Sequence, residues 1–233
     1  QNGPMKRFLI AIVCLFISLG MVNSLGIFLI DIGFGLPGAF FSLFFIEYVT
    51  AILMAPLMVK LADRMGKHIV LTACICLLLF AILVGFIMPM SNYLQVSVFM
   101  CVLGIAFSGL FILPPSILAD IVDYDTVISG EERAGIYMAA YNLAFKLGLA
   151  LGVGIAYGFL GLMGFDAAAV NHTPHDVLVI RIAFSGLSPV LLIPAIFILW
   201  RFPITKKMQR ELRRKIEANI NKTKRISKSA PFH

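Results

Sequence analysis

A helix needs about 20 mostly apolar residues to cross the hydrocarbon core of a bilayer, and this chain offers six such runs: 8–30, 38–59, 69–88, 94–118, 136–163 and 178–200. Backbone polar groups find no partner in lipid except one another, so each run is expected as a helix. The fold class that follows is an all-α membrane protein, with a six-helix domain over residues 1–200 and a basic tail over 201–233. Composition agrees: 60% of the residues are hydrophobic and 13% charged, against roughly 45–50% and about 25% in soluble domains. The first run follows Lys6 and Arg7 as a signal peptide would, but it is too long for an h-region and ends without a small-residue cleavage site. It is read as a span. Gln1 is no initiator, so a cut or incomplete chain is expected, with Met5 as an alternative start.

Turn chemistry separates three pairs of runs: Gly33 to Pro37, Pro89 to Asn92, and the polar stretch from Asp166 to Asp176. The other connections carry Lys60, Arg64 and Lys67, then Arg133, and they alternate with the first three in sequence. Basic residues mark the cytoplasmic side of membrane helices, so both chain ends are expected there, in a cell membrane of the bacterial inner-membrane kind. The net charge of +7 raises the question of nucleic acid, but its distribution answers it. Eleven of the nineteen Lys and Arg residues lie from Arg201 onward, after the last apolar run, so no basic groove for DNA or RNA is expected. From Lys206 to Lys228 the tail is read as a cationic helix lying on anionic lipid, with a docking site for a partner as the alternative.

A charge in mid-membrane costs at least about 2.5–3.5 kcal/mol on insertion scales, so each one asks for a reason. Glu47 near the middle of the second run and Lys146 near the middle of the fifth stand out. If the six helices form two inverted three-helix repeats, these two runs are equivalent and their charges are expected to face one seam. Asn142 lies one turn before Lys146 with Tyr141 close to the same face, and Asn23 with Ser24 gives a smaller polar patch in the first run. Lys146, Glu47, Asn142, Tyr141 and Asn23 are therefore candidates for lining a path taken by an ion or solute; a structural ion pair or helix-to-helix hydrogen bonds are the alternative.

Pro114 and Pro115 interrupt the fourth run and predict a kink or break, with Pro56, Pro189 and Pro194 as weaker versions. Gly148, Gly152, Gly154 and Gly158 set small residues along the fifth and predict close helix packing. Five carboxylates (Asp120, Asp123, Asp125, Glu131 and Glu132) gather between the fourth and fifth runs in what reads as a loop. They lack the ligand ladder of a calcium loop, and salt bridges that close a gate or cap helices are the expected use. Asp63, Arg64, Asp120, Asp123 and Arg133 are the gate candidates. Cys14, Cys74, Cys76 and Cys101 fall inside apolar runs and the four His residues are scattered, so no metal, disulfide or cofactor is expected. No nucleophile elbow or phosphate loop appears, which argues against an enzyme.

The segment Leu61-Ala-Asp-Arg-Met-Gly-Lys67 resembles the loop motif of the major facilitator superfamily, with Val59 and His68 where that motif has Gly and a basic residue. Ala119-Asp-Ile-Val-Asp-Tyr124, Gly130-Glu-Glu-Arg-Ala-Gly135 and Lys146-Leu-Gly148 are similar to the tenth-to-eleventh-helix region of melibiose permease-like transporters, the glycoside-pentoside-hexuronide:cation symporters. Phe202-Pro203-Ile-Thr-Lys206 resembles the same family's C-terminal boundary. The resemblance implies half of a major facilitator fold, helices seven to twelve of twelve, with Lys146 matching a functionally important lysine of helix eleven. It further implies uptake of a sugar or related solute, coupled to a proton or sodium ion by alternating access. The family's principal cation-binding carboxylates belong to the N-terminal half, so a six-helix partner in the same or another chain is expected beside the lipid bilayer and a small solute. The alternatives are a non-transporting membrane scaffold, the remnant of a split transporter gene, or a lysolipid transporter of the same superfamily. The Asn171-His-Thr173 sequon matters only in a eukaryotic secretory setting.

Overall fold

The computed structural model describes residues 3–89, 92–131, 133–167, 169 and 172–203. Within them the chain forms six helices long and apolar enough to cross a membrane: α1 (Gly3–Gly33), α2 (Phe40–Met65), α3 (Lys67–Ile87), α4 (Tyr93–Ser129), α5 (Ala134–Leu162) and α6 (Pro174–Trp200). Glu132, Asn171 and the tail beyond residue 203 lie outside the described residues. An even number of crossings puts the start of α1 and the end of α6 on one side of the membrane, called the near side below. Phe8 and Phe202 meet there, edge to face, with ring centroids 6.3 Å apart.

Short connections follow from local chemistry. Only Gly66 separates α2 from α3, and its φ of 109° is a region open to glycine and closed to side chains. Gly130 ends α4 in the left-handed conformation, its N–H donating to the Thr126 carbonyl at 3.0 Å. On the far side Asn92 caps α4 through the Gln95 N–H, and Thr173 and Asp176 form a reciprocal capping box at the start of α6.

The arrangement of the helices has an internal two-fold logic. α1 packs most extensively on α5, as α4 does on α2; α6 lies along α1 as α3 lies along α4; and α3 touches α6. Exchanging the first triplet with the second leaves this pattern unchanged, and successive spans run in opposite directions, so the two triplets are inverted copies in packing. Glycines permit the closest contacts. A Cβ on Gly20 of α1 would stand 2.5 Å from the Leu149 carbonyl oxygen of α5, and one on Gly104 of α4 would stand 2.5 Å from the Glu47 carbonyl oxygen of α2. Of the small residues along α5, Gly148 and Gly152 meet α1 in this way, whereas Gly154 and Gly158 face open space.

Two expectations need correction. α4 runs unbroken through Pro114 and Pro115, so the break predicted there does not occur. The prolines remove two backbone donors, but the helix packs against both α2 and α3 and remains helical through them. Its 37 residues measure about 55 Å at 1.5 Å per residue, well beyond the roughly 30 Å hydrocarbon core. Much of the excess is the segment from Asp120 to Ser129, read from sequence as loop and found as the last turns of α4. Conversely, α1 and α6 each contain a five-residue π-helical stretch, Leu29–Gly33 and Ala183–Leu187, that no sequence signal announced.

Candidate functional site

Glu47 lies where α2 comes closest to α4, the contact that Gly104 makes room for. Its side chain is buried, at 4% exposure. It borders a gap of about 10 Å³ among α1, α2, α4 and the π-helical stretch of α6, a space no larger than the minimum for one water. Asn23, Phe44, Leu103 and Phe184 are among the walls. Among the described residues no hydrogen bond or ion pair reaches the Glu47 carboxyl group. Asn23 shares the gap, with its amide donating to the Leu19 carbonyl of its own helix at 2.8 Å. Ser24 is likewise turned back on α1, donating to Met21. The structure thus brings Glu47 and Asn23 to one place.

The fifth span divides its candidates between two faces. Tyr141 is buried against α1, with its ring 6.2 Å from that of Phe8 and 6.3 Å from that of Phe16. Asn142 and Lys146, four residues apart and so on one face, are exposed. Tyr141 is therefore not part of their patch. Nor do Glu47 and Lys146 face one seam: the first is enclosed by its own chain and the second points out of it, and no ion pair joins them among the described residues. The surrounding face of α5 is uncovered too. In the apolar stretches of α1 and α4, 61% of residues are buried inside the chain, against 17% in α2 and 28% in α5.

On the near side the gate candidates separate into distinct places. Asp120 is buried and pairs with Lys67 at 2.7 Å, and the same Lys67 ammonium donates to the Ser116 carbonyl at 3.0 Å. Lys67 is the last residue of the 61–67 motif and Asp120 lies in the 119–124 motif, so the two segments that carry the family resemblance are physically joined. Lys67 was not among the candidates; its place in the motif was the available signal. Asp63 and Arg64 are exposed at the end of α2, and Asp123 is half-buried on α4. Arg133 reaches Glu131 instead of α4, donating through Nε and Nη2 to Oε2 at 2.8 and 2.6 Å. That hydrogen-bonded carboxylate holds the exposed guanidinium above its ordinary value.

Arg181 on the far side is a further residue that sequence reasoning passed over. Its guanidinium donates to the Gly33 carbonyl at 2.9 Å and the Phe86 carbonyl at 3.3 Å, so one side chain of α6 caps the C-terminal ends of α1 and α3.

Comparison with known proteins places this architecture. The glucuronide carrier protein homolog of Escherichia coli strain K12 is 25% identical over 224 residues, which are 91% of this chain and 46% of that protein. An uncharacterized symporter of Synechocystis sp. is 29% identical over 120 residues, 49% of this chain and 22% of that protein. The chain thus spans about half the length of the first of these relatives, and the second matches it over a shorter stretch. The sequence profile of the MFS/sugar transport proteins matches residues 1–206, the whole six-helix region, and the chain belongs to that family.

Proposed function

We propose that this chain is the C-terminal six-helix half of a secondary transporter that moves a sugar or related small solute across a membrane by alternating access, coupled to a cation. The observation that carries the reading is the uncovered side of α2 and α5. It presents Lys146 and Asn142, polar groups that lipid would not tolerate at that depth, on a surface the chain itself leaves open. A second six-helix half, in the same or another chain, fits that surface and encloses an aqueous path against it. Coverage of 46% of the Escherichia coli glucuronide carrier homolog supports a partner of similar size. Lys146 and Asn142 would then contact solute, and the Lys67–Asp120 pair would hold the near-side ends of α3 and α4 together as the halves rock. The membrane is the bacterial inner membrane in this reading, with the near side cytoplasmic.

The test is uptake of labelled sugars into vesicles holding the full-length carrier. Lys146→Ala is expected to abolish coupled uptake while expression and insertion stay at wild-type level. Undiminished uptake by that variant would remove Lys146 from the path.

A further inference from the structure

We infer that Glu47 is a proton-binding site belonging to this six-helix half, carrying its proton whenever the gap beside it is closed. The inference begins with what is absent around the carboxyl group. It is enclosed, yet among the described residues no cation and no hydrogen-bond donor reaches it. Lys146, the cation expected from sequence to share its seam, is exposed on another surface. At 4% exposure a carboxylate so placed bears most of the cost of desolvation with no cation to offset it, whereas the neutral acid bears far less.

The walls supply nothing else that titrates. Asn23 comes from α1, Phe44 from α2 itself, Met100, Leu103 and Phe107 from α4, and Phe184 from α6. Tyr48 follows Glu47 on α2 but is 51% exposed, turned away from the gap. Thr50, one turn on, has its hydroxyl committed to the Ile46 carbonyl at 2.7 Å.

The same walls choose between ions. A hard metal cation is held by several oxygens at once, and here a single carboxyl and one side-chain amide are the polar side chains of the lining, in a space of one water at most. A proton needs neither. It leaves to water as a hydronium ion when the seam among α1, α2 and α4 opens, creating the carboxylate only then, and returns before closure. A role for this proton in coupling rests on the transport reading above; its presence on Glu47 does not.

The experiment is infrared spectroscopy of the purified, full-length carrier in lipid at neutral pH, comparing wild type with Glu47→Gln. A protonated-carboxyl C=O band that moves in D₂O is expected in the wild type and absent from the variant. A parallel sample with all glutamates labelled with ¹³C at the carboxyl carbon needs no substitution and is expected to shift that band. A difference spectrum holding only carboxylate bands, or a band unmoved by glutamate labelling, would overturn the inference. If the band is present and sugar counterflow in the same vesicles is absent, the transport reading fails while the proton site stands.

Discussion

Lys67 and Asp120 are joined at 2.7 Å with side-chain exposures of 15% and 6%, an ion pair that ties the first turn of α3 to the near-side turns of α4. Removing Lys67 takes from the buried Asp120 carboxylate the ammonium that stands 2.7 Å away. Lys67→Ala is expected to lower stability by about 3 kcal/mol, read as the midpoint of unfolding in mixed detergent micelles. The double variant Lys67→Met with Asp120→Leu is expected to lose less than either single change. An additive double variant would show that the pair is energetically idle.

The glycines of α5 separate into two kinds, and matched substitutions test the division. Gly152→Val drives a side chain into the α1 backbone and is expected to cost at least about 1–3 kcal/mol. Gly158→Ala adds a methyl group where nothing lies within 4 Å, and is expected to stay within about 0.5 kcal/mol of wild type. The same unfolding measurement reads both.

Arg181 holds two helix ends from a third helix. Charge-assisted hydrogen bonds contribute about 1.5–3 kcal/mol, so Arg181→Ala is expected to loosen the C-terminal turns of α1 and α3 together. Hydrogen–deuterium exchange should quicken in peptides covering 30–36 and 84–89, and stay unchanged around Lys67. Faster exchange at only one of the two ends would assign the guanidinium to that end alone.

The exposed face of α5 can be told from a lipid-facing one by thiol chemistry, since only a solvated cysteine forms the reactive thiolate. In a full-length carrier whose other cysteines have been replaced, Cys at position 146 or 142 is expected to react with a membrane-impermeant maleimide. Cys at position 141, against Phe8 and Phe16, is expected to remain unlabelled. Equal protection at all three positions would place this face in lipid.

The number and order of spans could be read from sequence because a 20-residue apolar run has few other fates, and Gly66, Gly130 and the Asn92 cap stand close to where the helices end. What escaped was rotation. α5 is apolar nearly all round, so its sequence carries no stripe saying which side meets α1, and Tyr141 and Asn142 were grouped although one turns inward and the other outward. Proline misled for a related reason: Pro114 and Pro115 announce lost donors but say nothing of the flanking helices against which α4 continues. Lys67 and Arg181 were given no site role because their partners are backbone carbonyls and a carboxylate distant in the chain. The π-helical stretches have no compositional signature at all.

The exchange of neighbours between triplets has a consequence for how the protein is made. Ribosomes release α1, α2 and α3 first, yet the surfaces that cover α1 and α2 reside on α5 and α4. Until those later segments leave the translocon, Gly20 lacks the α5 backbone it packs against and the Glu47 carboxyl is without the helix that covers it. The first triplet is therefore inserted before the helices that cover it, and a truncation after α3 would yield a membrane-bound intermediate for quality-control proteases instead of a smaller stable domain.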